Sequence, residues 1–277
     1  MAEVPNNITE SNPEALGLYG DEVERKERFD SIPYADFEKY LIRVNAKLRS
    51  KNPALHELDG SGVMVGGEEV GSEDGGMIVE HQPPDQQDKA KLLEYLYDSA
   101  RALPNIQDEA LLLAAGICHI HPFADGNGRV SRMVYGQLSA GGEFVKKHLG
   151  EVLDGRSGID IGSAIPSRFL EKIARQRLGH DASDREVRAE ATRVLCDAFT
   201  DPGIKLMPDD VPLNSYKTAA ESGISMRDYL VLASNNLVSS RLVKDYSWEM
   251  NTEGAARVKK FKGFKKDSRF GQGEDNK

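Results

Sequence analysis

Residues 110–132 read ALLLAAGICHIHPFADGNGRVSR, and the fold turns on how this stretch is divided. Its first part, Ala110 to Ile120, is apolar on nearly every face of a helix, the pattern of an element buried on all sides. The spacing predicts a helix from about Asp108 to Ile120. A second helix is predicted from near Gly128 to Ala140 and Gly141, where a glycine pair stops it. Between them lies a connection rich in glycine and charge, unlike an ordinary helix–helix turn.

Upstream, Phe37, Tyr40, Leu41, Val44 and Leu48 recur at helical steps and predict an amphipathic helix from Tyr34 to Arg49, beginning after Pro33. Residues 60–84, GSGVMVGGEEVGSEDGGMIVEHQPP, hold two short apolar runs, Val63 to Val65 and Met77 to Val79, separated by glycine and acidic residues. That reads as a β-hairpin over 61–84, ended by Pro83 and Pro84. A further amphipathic helix is predicted from Gln86 to Leu103 on the stripe Leu92, Leu93, Leu96, Tyr97, Ala100 and Leu103. Downstream, Pro166 opens a helical pattern through Phe169, Leu170 and Ile173. Ser183 and Glu186 form a capping-box pair before Val187, Val194 and Leu195, and another pattern runs from Ser225 to about Val243.

The expected class is therefore mainly α: a helical bundle with one small hairpin and a helical C-terminal extension. The domain reading is an N-terminal segment 1–33, a core 34–150, an extension 151–254 and a basic, unstructured tail 255–277.

Composition limits the function classes. The 277 residues carry a formal charge of −9, which gives no general attraction to phosphate backbones, so no nucleic-acid partner is expected. No apolar run approaches the roughly 20 residues that span a bilayer, and MAEVPNNITES lacks the regions of a secretory signal. The expected location is the cytoplasm, with an exported effector as the alternative. Cys118 and Cys196 sit in apolar helical sequence with no metal-ligand spacing and read as buried structural thiols.

The chemistry concentrates in HPFADGNGRVSR, His121 to Arg132. Gly126 and Gly128 flank Asn127, letting the backbone adopt positive φ and turn its N–H groups into an anion-binding nest. A helix opens immediately after, so the nest coincides with a positive helix terminus. Arg129 and Arg132, three apart, share a helical face and offer two guanidinium forks to a phosphate chain. Asp125 supplies a hard oxygen ligand for a phosphate-bridging magnesium ion. Histidine is the side chain whose unperturbed chemistry allows proton uptake at neutral pH, and His121, next to Pro122, stands beside the anion site as a candidate general base. His119 and His121 do not suit a shared metal, since side chains two apart on a helix point about 200° from each other.

In this order and spacing the residues match every defined position of HPFx(D/E)GNGRxxR, and the chain resembles the Fic (filamentation) domain family. The glycine-rich hairpin followed by Pro-Pro is similar to that family's flap. The resemblance implies a Fic-type helical bundle and a protein adenylyltransferase that moves AMP from ATP to a Ser, Thr or Tyr hydroxyl of a target protein. By motif position, His121 would be the catalytic base. Asp125 would hold Mg2+ on the phosphates, Asn127 with the amides of Gly126 and Gly128 would form the anion hole, and Arg129 and Arg132 would neutralise the leaving pyrophosphate. Phe123 would anchor the loop in the core. Met77, Ile78 and Val79 would lie in the flap that registers the target, although LDGSGVMVGG lacks the arginine that relatives often place before it.

Doc-type kinases of the family carry alanine and lysine where this chain has Gly126 and Gly128, so intact glycines favour AMP transfer. Transfer of phosphocholine or UMP, removal of AMP, and a non-catalytic nucleotide-binding regulatory module are the alternatives. Members with an inhibitory helix carry (S/T)xxxE(G/N). The upstream candidate here is NNITESN with Glu10, in which Asn6 and Ser11 depart from the pattern, and a downstream one is SRFLEK with Glu171. A separate small inhibitory protein is the other possibility.

Overall fold

A computed structural model of the chain describes residues 16–48, 83–141, 165–207, 210, 223–234, 246–250 and 256–260. In chain order the helices are α1 (Glu22–Asp30), α2 (Tyr34–Leu48), α3 (Gln86–Arg101), α4 (Ile106–Ile120), α5 (Asn127–Ala140), α6 (Ser167–Leu178), α7 (Asp184–Asp197) and α8 (Met226–Ser234). Strands β1 (Tyr246–Met250) and β2 (Ala256–Lys260) pair antiparallel, with Trp248 opposite Val258. The class is mainly α, as the sequence implies. The flap hairpin 61–84, including Met77, Ile78 and Val79, lies outside the described residues apart from its closing prolines. Glu10 also lies outside them. No described helix is long and apolar enough to cross a membrane.

Helix α4 is the axis of the bundle. Asn105 caps it, its side-chain oxygen accepting the Asp108 N–H at 2.8 Å, and from Asp108 to Ile120 every residue is buried. It packs against α1, α3, α5, α7 and α8. A Cβ placed on Gly116 would meet the Leu96 methyl groups at 2.3 Å, so this glycine is what lets α3 approach the α4 backbone. The accompanying loss of helix propensity, about 1 kcal/mol, is offset by burying Leu96, which is fully inaccessible.

The predicted spans of α2, α3, α4 and α5 agree with the structure to within a few residues at their ends. The capping box of α7 is present as expected: the Ser183 hydroxyl accepts the Glu186 N–H, and the Glu186 carboxylate accepts the Ser183 N–H at 2.8 Å. Helix α8 covers the first part of its sequence pattern, the rest of which lies outside the described residues, and β2 lies within the segment read as an unstructured tail. Backbone pairing supplies the order there that composition did not suggest.

Helix α1 lies in the N-terminal segment, for which the sequence reading names no element. It starts in a capping box formed by Asp21 and Glu24. From it Arg25 reaches the C-terminus of α5, donating Nε to Leu138 O at 3.1 Å and Nη2 to Ser139 O at 2.9 Å, where a cation complements the helix dipole. Phe29 meets Phe37 and Tyr97 edge-on at centroid distances of 5.7 and 5.5 Å, and the Tyr97 hydroxyl donates to Ile32 O. The extension docks just as directly. Arg185 grips Asp88 with two bonds of 2.7 and 2.8 Å, and Arg188 pairs with Asp85 at 2.5 Å, so α7 brackets the first turn of α3.

Beneath α1, Glu109 is fully buried, and neither carboxylate oxygen has a hydrogen-bond partner. Lys26 comes within 3.4 Å, but its three ammonium protons are engaged by the two Asp30 oxygens at 2.8 and 2.9 Å and by Arg101 O at 3.0 Å. Burial outweighs that attraction and pushes the Glu109 carboxyl up from 4.5 to about 8. A raised carboxyl binds its proton in the folded chain and loses it in the unfolded one, so stability falls as pH rises from 4.5 towards 8. Thermal melts across that window are expected to show a smaller decline for Glu109→Gln than for wild type; equal slopes would contradict the assignment.

Candidate active site

The motif loop spans the end of α4 and the start of α5. His121 is the C-cap of α4, its N–H donating to Ile117 O at 3.0 Å, and it adopts a left-handed conformation with φ 54° and ψ 60°. It is the only non-glycine with positive φ among the described residues. Such a conformation costs an L-residue about 1–2 kcal/mol and persists where surroundings enforce it. A left-handed cap reverses the chain at once, so the half-buried histidine side chain stands at the junction while Pro122 and Phe123 turn back into the core.

Phe123 is wholly inaccessible, as expected of the loop's anchor. Asn127 closes the loop beneath it: its Oδ1 accepts the Phe123 N–H at 2.9 Å and its Nδ2 donates to Phe123 O at 2.6 Å. Its side chain is buried and holds the loop's shape, so any contribution of Asn127 to anion binding in this structure falls to its main-chain amide.

Gly126 is the N-cap of α5 with φ 86°, and the first intrahelical bond runs from Val130 N–H to Gly126 O at 2.9 Å. The amides of Asn127, Gly128 and Arg129 therefore precede the hydrogen-bonded ladder, and the only acidic group at this helix start among the described residues is Asp125, just before it. The Asp125 carboxylate accepts the Gly126 N–H at 2.6 Å and pairs with Arg129 Nη2 at 3.2 Å. Arg132 lies one turn on, its Nη1 3.5 Å from where a Cβ on Gly128 would sit. The structure thus brings His121, Asp125, the Gly126–Gly128 amides, Arg129 and Arg132 together on one loop and helix start.

The described residues contain no cluster of three or more metal-ligating side chains. A solitary exposed carboxylate beside an anion nest suits magnesium, which is held by one or two carboxylates together with substrate phosphates. Asp125, more than half exposed, is placed for that, with Arg129 as its present partner.

Two residues that the motif does not contain hold the loop from outside. Lys89 of α3 donates Nζ to His121 O at 2.8 Å, and Asn45 of α2 donates Nδ2 to Asp125 O at 2.8 Å. Both are buried. Their signal in the sequence is a polar residue in an apolar stripe: Lys89 stands one turn before Leu92 and Leu93, and Asn45 one turn after Leu41. Ser131 adds a third tie, its hydroxyl donating to Ala114 O at 2.7 Å across α4 and α5.

Of the remaining candidates, Glu171 lies on α6 and is half-buried, its carboxyl raised by burial, with Arg175, Arg188, Asp184 and Arg168 as its charged surroundings. That places it in the packing of α6 on α7. Cys118 and Cys196 are buried thiols outside any disulfide, and burial pushes the Cys196 thiol up to about 12.

Residues 38–138 match the family model of the Fic/DOC family, a span running from within α2 to the last turns of α5 and enclosing the entire loop. Over these residues the chain carries a domain of the Fic/DOC family, which is in general a family of transferases. Comparisons with curated proteins and with solved structures find no match.

The two loop glycines differ in what they demand. Gly126 needs positive φ, so Gly126→Ala is expected to cost about 1–2 kcal/mol in urea unfolding. Gly128 sits in the first helical turn with only ordinary contact to Arg132, so Gly128→Ala is expected to be neutral or slightly stabilising, by up to about 1 kcal/mol. Equal losses at both would refute this division.

Proposed function

We propose that the protein is a protein adenylyltransferase, transferring AMP from ATP to a Ser, Thr or Tyr hydroxyl of a target protein. One observation carries the reading: a complete HPFADGNGRVSR motif in which His121 caps a buried helix and, a few residues on, another helix begins with amides outside the hydrogen-bonded ladder. Intact Gly126 and Gly128 favour AMP over phosphate as the transferred group.

In the reaction, His121 takes the proton of the target hydroxyl as its oxygen bonds to the α-phosphorus. The bond from that phosphorus to the oxygen bridging to the β-phosphate breaks, and pyrophosphate departs. The protein's work is positioning and offsetting charge. The unladdered amides at the start of α5 and the guanidinium groups of Arg129 and Arg132 receive the negative charge carried by the phosphates. Asp125 would hold magnesium, which when bound neutralises phosphate charge. The target protein would be registered by main-chain pairing with the flap.

Incubation of the purified protein with ATP labelled in its α-phosphate and magnesium, then with cell lysate, is expected to label the protein itself or a target. His121→Ala should reduce that label by about 10²-fold or more, the scale of a lost general base. Absence of label from wild type, or undiminished label from His121→Ala, would sink the proposal.

A further inference from the structure

Lys89 lies outside the motif, and the mechanism above does not use it. It is a lysine on the buried face of α3, 3% exposed, in a position where an apolar residue would continue the Leu92, Leu93 and Leu96 stripe. Burying an ammonium is costly unless it is well partnered. Its Nζ reaches across to α4 and donates to the carbonyl of His121 at 2.8 Å. That carbonyl belongs to the one described non-glycine residue with positive φ.

We propose that Lys89 is a positioning residue for the reaction: its bond to the His121 carbonyl holds the candidate base in the left-handed conformation that aims it at the start of α5. The inference rests on the adenylyltransferase reading. A non-glycine residue at a helix end has an alternative, right-handed continuation that is intrinsically favoured. In that alternative the His121 carbonyl and imidazole swing away together. A cation anchored at the C-terminal end of α4 opposes it by hydrogen bond and by the helix dipole alike. Lys89 is itself held from the other side. Its neighbour Asp88 is gripped by Arg185 and Asp85 by Arg188, so the first turn of α3 is fixed by α7. This gives the C-terminal extension a part in the chemistry, because it secures the element that carries Lys89 to the loop.

The test compares wild type with Lys89→Met, which keeps the length of the side chain and removes the donor, and with Lys89→Gln, which is neutral and better suited to a polar contact should the methionine variant not fold. Target labelling is expected to show kcat lowered by about 10–100-fold, the scale of a misplaced catalytic group. The KM for ATP should stay within about twofold, because the anion site is separate from the histidine. The melting-temperature rise caused by ATP should be retained. Unchanged kcat would overturn the proposal. So would a parallel loss of kcat, ATP affinity and thermal stability, which marks a lysine that only supports the fold. A crystal structure of either variant is the second readout: His121 with negative φ is expected, and a retained left-handed His121 would overturn the proposal. Should wild type fail to label anything, the adenylyltransferase reading falls, and the His121 conformation alone decides whether Lys89 sets it.

Discussion

Burial of α4 among α1, α3, α5, α7 and α8 is the constraint from which the remaining architecture follows. A helix enclosed on every side cannot slide or rotate without disturbing several packed faces, since interiors are close-packed. Its C-terminal residue is therefore fixed in space. His121 caps that end, and the next helix starts within a few residues of it, so the separation of His121 from the start of α5 is set by one rigid element and one short loop. The loop is pinned at His121 by Lys89, at Phe123 by Asn127 and at Asp125 by Asn45. Each bond removes freedom at a different point, which is how a connection rich in glycine is held in one shape.

The charge of the chain acquires a different meaning in this light. A protein of net −9 is poorly suited to a long polyanion. The start of α5 nonetheless gathers unladdered amides, Arg129 and Arg132 beside a single carboxylate, which is the local feature on which the proposed triphosphate site rests. Elsewhere arginines are matched to acids, as in Arg185 with Asp88, Arg177 with Asp197 and Arg227 with Asp108. Such pairs orient helices more than they attract ligands.

Much of this was legible in the sequence because it depends on local pattern. The periodic stripes placed α2, α3, α4 and α5, Ser183 and Glu186 announced α7, and the order of residues from His121 to Arg132 marked the family and the candidate site. What stayed hidden depends on contacts between segments distant in the chain. Helix α1 is short and strongly polar, and its order comes from Phe29 in the aromatic cluster and Arg25 on the end of α5. Lys89 and Asn45 interrupt apolar stripes, a visible irregularity whose purpose emerges only when α3 and α2 are set against the loop. The bonds of the Asn127 side chain to Phe123 are likewise a contact that the motif alone does not reveal.

The identity of the transferred group tests the central claim most directly. Intact-protein mass spectrometry, after incubation with each nucleoside triphosphate and magnesium in turn, weighs what has been added to the protein or its target. Adenylyl transfer gives a gain of one AMP group from ATP. A gain of phosphate alone, or a gain from another nucleotide and none from ATP, would contradict it.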